Sequence, residues 1–558
     1  MLKLDFNERS DFPGQWLKEV SLDLEILWRY PSRQQLESKI AEHYGLQSDQ
    51  VFCSNGGDEA IYLLMRYIKE RNINDHQGAM ILPLPAFSQY TWGIDSWRVD
   101  NLQIEPNSDL TINWDAVEQA VCDNTNAVLV LTSPNNPTGE TVDRTLLLKL
   151  LEQAQINNTL VFLDEAYIEF SNEESAIDLI SRFDNLVILR TLSKAYGLAG
   201  IRLGYLLGQP SIISEFTQRA MPFNVPAPSL SVASMAFDAQ AQQDKDNYTA
   251  TIKCNRTRLT NWLKEVGVNF IPAEGNFICL RLKPQQAKLL TQYLKRQTIL
   301  VRNFTESYLN GCVRITIPYQ LEKLMTALKN VFQPDILCFD MDGVLIDTST
   351  SYDNAIKATV KEFTGKSISD DDINRLRSQG GFNNDWVLSK ALISENNQEI
   401  DLSTVIECFQ GYYLGKENDG FIANETILVS EELSKSLETR QQTIGIVTGR
   451  PGAEALIGQA NIAERFSYWE NAFRMSDDDV EKSKPDPEGI IQLKRQNKAM
   501  SSWMVGDTPD DIKAALGSDS LAIGIGLENE NALLDAGADL VVDSVNDLID
   551  LFITQPTI

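Results

Sequence analysis

The hydrophobic positions of the chain alternate between two patterns along its first 334 residues. Short apolar runs, of the kind that form buried strands, cover residues 127–133, 160–166 and 186–190. Other segments, such as 58–70 and 142–155, carry apolar residues at helical spacing. Strands that alternate with helices are typical of an α/β domain with a mostly parallel sheet. The pattern therefore predicts this fold class for the first part of the chain.

A break in the pattern separates a second region from the first. The helical periodicity of residues 320–332 stops just before Pro334, and the apolar run I-L-C-F-D starts at residue 336. Proline commonly marks the end of a helix or the start of a loop. We therefore place a domain boundary here, with one domain at 1–334 and another at 335–558.

The second region also reads as an α/β domain, but with a long helical insert. After its first strand the sequence is helical from about 352 to 440. A helical insert between the first two strands of a small Rossmann-like domain is expected to form a cap, here at about 347–442. The pattern then returns to strands, which are predicted at 443–449, 501–507 and 521–526.

Composition narrows the class of protein. With 558 residues the chain is too long for a single core, and 43% hydrophobic and 23% charged residues are ordinary for a soluble globular protein. No apolar run is long enough to span a bilayer. The net charge of −29 argues against nucleic acid or anionic membrane as a partner. The charged start M-L-K-L-D lacks the apolar core of a signal peptide, so we expect a cytoplasmic protein.

The strongest chemical signal in the first region is the stretch T-L-S-K-A-Y-G-L-A-G-I-R at 191–202. Lys194 follows the apolar run 186–190, with Ser193 beside it and Arg202 eight residues further on. A lysine at the mouth of a strand, close to a hydroxyl and an arginine, suits an amine that reacts with a phosphorylated carbonyl cofactor. The stretch predicts such a site only if other strand ends supply matching groups.

Other strand and helix ends do supply them. Gly57 and Asp58 precede an amphipathic helix, whose free amides can hold a phosphate. The turn S-P-N-N-P-T-G puts Asn136 after one strand, and D-E-A-Y puts Asp164 and Tyr167 at the end of the next. A buried carboxylate can keep a proton on a heterocyclic nitrogen. Successive strand ends therefore deliver Asn, Asp and Lys to one predicted site.

These segments resemble the class I/II pyridoxal-phosphate aminotransferases, especially the histidinol-phosphate aminotransferase family, over nearly all of residues 1–334. The resemblance implies the PLP-dependent transferase fold type I, with a large and a small domain, and pyridoxal 5′-phosphate as cofactor. It implies that Lys194 binds the cofactor covalently and moves the substrate proton, and that Tyr90, in P-A-F-S-Q-Y, stacks on the cofactor ring. The other cofactor-binding residues that it implies are Gly57, Asp58, Asn136, Asp164, Tyr167, Ser193, Arg202 and Tyr30.

The resemblance extends to substrate-binding segments. Arg314, in G-C-V-R-I-T, matches the arginine that binds the substrate carboxylate, and Arg302, in I-L-V-R-N, matches the one that faces substrate phosphate. Asn276 and Asn7 match further substrate-binding positions. Arg9 departs from the family, which has Asn or Tyr there, and could either contact another anion or be exposed.

The resemblance also implies partners. Tyr30, in R-Y-P, is similar to a family tyrosine that reaches the cofactor phosphate from a second subunit. We therefore expect a homodimer formed through the aminotransferase domain. Small phosphorylated amines and ketones are the expected substrates, with glutamate as the expected amine donor.

The second region has acidic and polar groups at its strand ends. Asp340 and Asp342, in D-M-D-G, end the first strand, where one acid can attack phosphorus and the other can protonate the leaving oxygen. Thr448 follows the next predicted strand, and Lys484 precedes the segment G-D-T-P-D-D at 506–511. This ordered set resembles the motifs of the haloacid dehalogenase superfamily.

That second resemblance implies the role of each residue. Asp340 is the implied nucleophile and Asp342 the implied acid/base, which favours a phosphatase or phosphomutase over a dehalogenase. Thr448 and Lys484 are implied to hold the phosphoryl group. Oxygen ligands suit Mg²⁺, and the implied ligands are Asp340, the carbonyl of Asp342, Asp507 and Asp511.

Together the regions predict a bifunctional enzyme of histidine biosynthesis. The best-fitting reactions are transamination between imidazole-acetol phosphate and histidinol phosphate, then Mg²⁺-dependent hydrolysis of histidinol phosphate. The helical cap departs from the better-known histidinol phosphatase of the superfamily, which resembles a capless, zinc-stapled type, so the phosphatase substrate is inferred from the fusion. One alternative keeps both activities on a phosphoserine or phosphothreonine type of compound. Another is an active aminotransferase with a regulatory hydrolase-like module.

Overall fold

The computed structural model describes residues 1–21, 24–73, 78–304, 306–377, 384–416 and 419–553. The chain divides into two units, Met1–Ala327 and Leu328–Gln555. Each unit has its own sheets and its own apolar core. No helix in these ranges is both long enough and apolar enough to cross a membrane.

The strands of the first unit are rich in Val, Ile and Leu and form two sheets. They are β1 Leu2–Leu4, β2 Val51–Ser54, β3 Met80–Pro83, β4 Asn101–Ile104, β5 Val128–Thr132, β6 Leu160–Asp164, β7 Leu186–Thr191, β8 Gly204–Gly208, β9 Phe270–Ile271, β10 Phe277–Arg281, β11 Ile299–Asn303 and β12 Cys312–Thr316. The larger sheet has the order β2-β8-β7-β6-β5-β3-β4. Its strands from β7 to β4 run parallel, and β8 and β2 pair antiparallel. This arrangement confirms the predicted α/β class and the strands predicted at 127–133, 160–166 and 186–190.

Helices connect these strands. They are α1 Gln15–Lys18, α2 Gln34–Tyr44, α3 Gly56–Ile73, α4 Ser88–Trp97, α5 Trp114–Asp123, α6 Arg144–Ile156, α7 Pro210–Arg219, α8 Ala227–Met235, α9 Ala239–Val266, α10 Pro284–Arg296 and α11 Glu322–Phe332. Several begin with a capping side chain; Asp143 accepts hydrogen bonds from the first amides of α6, for example. The predicted helices at 58–70 and 142–155 correspond to α3 and α6.

The smaller sheet of the first unit brings the N-terminal residues close to distant strands. Its order is β1-β11-β12-β10-β9. Strand β1 runs parallel to β11, whereas β12 pairs antiparallel with β11 and β10. In the β11–β12 register Arg302 lies directly opposite Arg314, so their side chains share one face of the sheet.

The second unit is built on a parallel sheet. Its strands are β13 Ile336–Phe339, β14 Ile346–Asp347, β15 Thr426–Ile427, β16 Thr443–Val447, β17 Phe473–Met475, β18 Ser502–Gly506, β19 Leu521–Ile525 and β20 Leu540–Val542. The sheet order is β17-β16-β13-β18-β19-β20, with all neighbours parallel. The helices of this sheet domain are α16 Glu431–Thr439, α17 Gly452–Arg465, α18 Glu488–Asn497, α19 Pro509–Gly517, α20 Glu530–Ala536 and α21 Leu548–Leu551.

A helical insertion separates β13 from β16. It lies between β14 and β15, which pair antiparallel, and therefore falls inside the range 347–442 predicted for the cap. Its helices are α12 Ser351–Thr364, α13 Asp370–Arg377, α14 Asp385–Glu395 and α15 Leu402–Tyr413. The insertion has an apolar core of its own, formed by Ala355, Ile356, Val360, Ile373, Leu376, Leu388, Leu392, Ile393, Val405, Phe409, Tyr413 and Ile422.

Candidate active sites

A cavity of about 580 Å³ in the first unit gathers residues from the carboxyl ends of β5, β6 and β7. Parallel strands end at the same edge of a sheet, so residues distant in sequence meet there. The predicted residues that line the cavity are Gly57, Asp58, Asn136, Asp164, Tyr167, Ser193, Lys194, Arg202, Arg302 and Arg314. The structure therefore brings most of the predicted cofactor and substrate residues together.

Lys194 presents its amine to this cavity. Its Nζ donates a hydrogen bond to the carbonyl oxygen of Phe6 at 2.9 Å and lies 5.7 Å from the ring centre of Tyr167. No carboxylate in the described ranges forms an ion pair with Nζ. The amine of Lys194 is therefore held by a neutral carbonyl and not by an ion pair with a carboxylate of the described residues.

Asp164 ends β6 in a buried position between two donors. Tyr90 Oη donates to Oδ2 at 2.9 Å, and the amide of Ala166 donates to Oδ1 at 3.0 Å. Burial raises the pKa of Asp164 to about 6, although both hydrogen bonds and the nearby Lys194 oppose this shift. A buried carboxylate of this kind gains strongly from a cation placed beside it.

The burial of Asp164 predicts that the free energy of unfolding of the protein depends on pH. Because the pKa of Asp164 rises from 3.8 to about 6 on folding, its contribution to stability is present below about pH 4 and is lost as pH rises through about 6. In cofactor-free protein, Asp164→Asn should therefore stabilise the fold at pH 8 by on the order of 3 kcal/mol, and by about half as much at pH 5. Thermal unfolding at both pH values measures this, with the exposed Asp123→Asn as control. An equal effect at both pH values would contradict the prediction.

Tyr90 does not occupy the stacking position that the resemblance implies. Its side chain is completely buried and its hydroxyl is bound to Asp164, so its ring has no face open to the cavity. Phe87, which immediately precedes α4, lines the cavity instead. The rings of Phe87 and Tyr90 meet edge to face at 6.4 Å. The prediction for Tyr90 is corrected accordingly: it orients Asp164.

Two residues predicted to bind substrate, Asn7 and Asn276, are buried and do not line the cavity as described. The hydroxyl of Tyr167 accepts hydrogen bonds from Asn136 Nδ2 at 3.4 Å and from Asn7 Nδ2 at 3.1 Å. Asn276 Nδ2 donates to the carbonyl of Asn7 at 3.1 Å. Asn7 and Asn276 are both almost fully buried. This corrects their predicted role, since they hold the N-terminal segment against Tyr167 rather than facing a substrate.

One part of the cavity is suited to a phosphate. Gly57 lies in the first turn of α3, where backbone amides have no helical partner. Arg202 Nη2 is 2.7 Å from Asp58 Oδ2, and both side chains are partly exposed. Gly56 has φ of +74°, and a Cβ there would meet the Arg202 guanidinium, so glycine is required. With Ser193 these groups form an anion-binding end.

The two arginines of the small sheet also face the cavity. Arg314 donates from Nη1 to Asn136 Oδ1 at 2.5 Å and from Nη2 to the carbonyl of Asp5 at 2.6 Å. Burial lowers the pKa of Arg314, and its Nε has no partner among the described residues. Arg302 is exposed and forms no ion pair with any part of the chain that the structure describes. Two such guanidinium groups can bind two anionic groups of one substrate.

The structure contradicts both roles considered for Arg9, which were an exposed side chain and a further contact to a substrate anion. Its side chain is only 4% exposed and forms ion pairs with Asp11 at 2.9 Å and Asp244 at 2.6 Å. Its guanidinium also lies over the ring of Tyr248, at 4.2 Å from the ring centre. Arg9 is therefore neither exposed nor free to bind a substrate anion, because two carboxylates already occupy it. It fixes the N-terminal segment to α9.

Tyr30 lies on the surface of the single chain. Its side chain is highly exposed, and its ring stacks on Phe223 at 4.4 Å. It does not line the cavity of its own chain as the described residues define it. The predicted homodimer, in which Tyr30 serves a second subunit, stays a prediction.

Three residues of the N-terminal segment line the cavity without having been predicted. Asp5, Phe6 and Glu8 follow β1 and reach the cavity because β1 pairs in register with β11. Strand β1 has only three residues. So short a strand gives no clear periodic signal in the sequence.

The second unit gathers three of its predicted acids at the end of the parallel sheet. Asp340, Asp507 and Asp511 each offer an oxygen within 4.8 Å of the others. Lys484 Nζ donates to Asp340 Oδ1 and to Asp511 Oδ1, both at 2.6 Å. Burial lowers the pKa of Lys484, but the two carboxylates outweigh this effect and raise it above its ordinary value. One lysine thus faces three carboxyl groups.

Asp507 is the member of this cluster to which Lys484 does not donate a hydrogen bond. Its Oδ1 is buried and has no partner within the described part of the unit. Burial and then the charge of Asp511 raise the pKa of Asp507 to about 7. Gly343, with φ of +72°, allows Asp507 to approach the chain where a side chain would collide with it. These all-oxygen groups fit a divalent cation such as Mg²⁺.

Asp342 is bound by an arginine whose role was not predicted. Arg450 donates from Nε to Asp342 Oδ1 at 2.7 Å, and its Nη2 lies 2.5 Å from the same oxygen. The guanidinium also contacts both oxygens of Glu425 at 3.1 Å. The buried Thr448 accepts a hydrogen bond from the amide of Arg450 at 3.1 Å. The segment T-G-R contains this arginine, but nothing local identifies its distant partners.

The fold is that of a pyridoxal-phosphate type of transferase joined to a haloacid dehalogenase-like hydrolase. The chain belongs to the class I and II aminotransferases, whose family model matches residues 5–329. The model of the haloacid dehalogenase-like hydrolases matches residues 337–524. The chain therefore combines aminotransferase and hydrolase domains, as the two sequence resemblances predicted.

The relatives of the first unit are similar over most of their own length. Histidinol-phosphate aminotransferase 1 of Legionella pneumophila is 33% identical over 312 residues, 54% of this chain and 82% of the relative. The chloroplastic histidinol-phosphate aminotransferase 1 of Arabidopsis thaliana is 33% identical over 339 residues, 60% and 78% of the two chains. The crystal structure of the Sinorhizobium meliloti histidinol-phosphate aminotransferase with pyridoxal-5′-phosphate has a TM-score of 0.51 at 22% identity, covering 58% of this chain and 88% of that one. This last likeness establishes the fold.

Proposed function

We propose that the aminotransferase interconverts imidazole-acetol phosphate and histidinol phosphate, with glutamate as amine donor, and that the hydrolase removes phosphate from histidinol phosphate. The observation that carries the proposal is the pair Arg302 and Arg314, which face the cavity of Lys194 from adjacent strands. The names of the 33% identical relatives support the first reaction. The covalent fusion supports the second, because hydrolysis of a phosphate ester would draw the reversible transamination forward.

Pyridoxal 5′-phosphate fits the groups that line the cavity. The anion-binding end at α3 suits its phosphate, and the buried carboxylate suits its ring nitrogen. When bound, the cofactor supplies an electron sink that stabilises negative charge on the substrate carbon. The residues proposed to hold it are Lys194, Asp164, Asn136, Tyr167, Gly57, Ser193 and Arg202, with Asp58 supporting Arg202.

The chain's own groups then divide the work of transamination. Lys194 Nζ takes the proton from the substrate carbon and later returns one. Asp164 keeps the ring nitrogen protonated, because its burial makes the ion pair stronger than it would be in water. Arg314 binds the carboxylate of glutamate, and Arg302 binds the substrate phosphate. The hydrogen bond between Arg314 and Asn136 couples carboxylate binding to the position of the cofactor ring.

In the second unit the proposed reaction is phosphoryl transfer to an acid. A carboxylate oxygen of Asp340 attacks phosphorus as the alcohol leaves, and Asp342 protonates the leaving oxygen. Asp342 then takes a proton from the water that releases phosphate. Lys484 and Thr448 hold the phosphoryl oxygens. Mg²⁺ would neutralise charge between the acid and the phosphate, and its proposed ligands are Asp340, the carbonyl of Asp342, Asp507 and Asp511.

A panel of phosphorylated amines and amino acids tests the proposed substrates. Phosphate release is measured with and without Mg²⁺ on histidinol phosphate, phosphoserine and phosphothreonine, and transamination is followed on the matching ketones with glutamate. Selective turnover of histidinol phosphate by both activities is the expected result. Preference for phosphoserine or phosphothreonine would move both sites to that substrate class, and failure on every compound would refute the proposed phosphatase.

Arg302 should act on the substrate phosphate alone. Arg302→Gln is expected to raise KM for the phosphorylated ketone by about 10–100-fold, because a charge-assisted contact is lost, while KM for glutamate stays within about threefold. Steady-state kinetics with each substrate varied in turn measure this. The matched control is Arg281→Gln on strand β10 of the same sheet, a residue that does not line the cavity as described. A parallel rise in both KM values would contradict the assignment.

We also propose that the protein is a cytoplasmic homodimer. The exposed ring of Tyr30 lies with the exposed Phe223, and the apolar side chains of Trp28 and Met221 are exposed as well. Exposed large apolar groups of this kind are typical of an interface. Light scattering measures the mass directly, and a monomer at micromolar concentration would refute the dimer.

A further inference from the structure

The carboxylate of Asp342 is held on one side only. Both contacts from Arg450, from Nε at 2.7 Å and from Nη2 at 2.5 Å, fall on Oδ1. The other oxygen, Oδ2, accepts no hydrogen bond from any residue that the structure describes. The guanidinium therefore fixes the direction of the carboxylate and leaves one oxygen for another partner.

Glu425 links this arginine to the cap. Its Oε1 and Oε2 both lie 3.1 Å from nitrogens of Arg450. Its Oε1 also accepts hydrogen bonds from Ser351 Oγ at 3.1 Å and from Tyr413 Oη at 2.8 Å. Ser351 begins the first cap helix and Tyr413 ends the last one. A continuous chain of contacts thus runs from both ends of the helical insertion to Asp342.

Burial differs along this chain of charges. The side chains of Arg450 and Glu425 are 1% and 2% exposed, whereas that of Asp342 is 32% exposed. Charges buried to this extent pay a large desolvation penalty, so an ion pair of this kind is weak evidence for stability alone. Asp342 is therefore the only one of these three side chains that solvent reaches to any extent. The buried pair of Arg450 and Glu425 is consequently well placed to orient the carboxylate of Asp342.

We propose that Arg450 is a positioning residue for the phosphatase reaction: it fixes Oδ1 of Asp342 so that Oδ2 delivers the proton to the leaving oxygen. The inference rests on the proposed hydrolase activity. In the step, the bond from Asp340 to phosphorus forms, the bond from phosphorus to the leaving oxygen breaks, and the proton of Asp342 passes to that oxygen. Asp342 is left as a carboxylate beside the Arg450 cation, and Glu425 holds that cation in place against the cap.

The test compares two phosphate esters whose leaving groups differ in how much they need to be protonated. Phenyl phosphate has a poor leaving group that requires protonation, whereas p-nitrophenyl phosphate has a good one that does not. With saturating Mg²⁺, Arg450→Gln in the full chain should lower kcat/KM for phenyl phosphate by about 10–100-fold and for p-nitrophenyl phosphate by less than about threefold. The ratio kcat/KM reports only the steps up to departure of the leaving group, so later hydrolysis does not enter.

Three further variants separate positioning from simple loss of structure. Arg450→Lys keeps the charge without the planar fork and should restore part of the selective loss. Arg450→Gln placed in an Asp342→Asn background should add almost nothing, since the two residues act as one unit. Arg474→Gln, which removes a partly buried arginine bound to Gln459 in the same unit, is the matched control and should leave both esters unchanged.

Several outcomes would overturn the inference. An equal loss for both esters means that Arg450 has a structural role only, and no loss for either means that it has none. Should Arg450→Gln fail to fold, Glu425→Gln carries the same test, and absence of a selective loss there also overturns it. Wild-type protein inactive on both esters would refute the proposed hydrolase itself. Transamination by the same samples shows that the chain is otherwise folded.

Discussion

Lys194→Ala is expected to abolish transamination, with turnover falling by at least about 10³-fold. The variant loses the amine that binds the cofactor and the base that moves the substrate proton. No other lysine lines the cavity as the described residues define it, so none can take over. The visible absorbance of protein mixed with pyridoxal 5′-phosphate measures the loss of cofactor binding, and turnover with glutamate measures the loss of proton transfer.

The control for this variant lies within the same polypeptide. Lys149→Ala removes an exposed lysine paired with Glu118 and should transaminate normally. Phosphate release by Lys194→Ala should equal that of the wild type, since Lys194 has no part in the hydrolase site. Retention of more than about a tenth of the transaminase turnover would contradict the assignment of Lys194.

Asp340→Asn is expected to have the reverse effect. Phosphate release should fall by at least about 10³-fold, because the amide keeps the shape of the side chain but is a poor nucleophile. It also removes one carboxylate from the cluster with Asp507 and Asp511, so higher Mg²⁺ concentrations should be needed for any residual activity. Release of inorganic phosphate across a Mg²⁺ titration measures both effects.

The matched control for Asp340 is a neighbouring acid outside the cluster. Asp510 adjoins Asp511 but pairs with Lys513 at 3.3 Å, so Asp510→Asn should keep most of the activity. Transamination by Asp340→Asn should be normal. If Asp340→Asn and Asp510→Asn lost activity equally, the cluster would be acting as a general negative surface rather than as a nucleophile and metal site.

Much of both sites could be predicted from the sequence because parallel strands impose an order. A run of apolar residues that ends in a polar one marks the carboxyl end of a buried strand, and these ends meet at one edge. This is how Asp164 and Lys194 came together in the first unit and Asp340 and Asp507 in the second. Regular periodicity thus predicted the α/β class, and strand-end chemistry predicted which of these residues lie together; the particular fold types came from the two family resemblances.

Residues that depend on packing were not predictable in this way. Phe87 lies just before α4 with an extended backbone and Tyr90 lies in its first turn, so which ring faces the cavity depends on how this end of the helix packs. Arg9 forms ion pairs with two carboxylates, one of them 235 residues away in sequence. Arg450 forms an ion pair with Asp342, which lies 108 residues away. An ion pair between distant segments leaves no periodic trace in either of them.

The position of β1 in the small sheet has a consequence for the order of assembly during synthesis. Asn7 bonds to Thr316 across 309 residues of sequence, so this contact cannot form until that length of chain has been made. At about 5–20 residues per second, the delay is roughly 15–60 s for these 309 residues. The parallel core of the large sheet is complete well before then. In a nascent chain Lys194 is therefore already part of a complete sheet before residues 5–8, which are made first, can dock against β11 and β12 beside it.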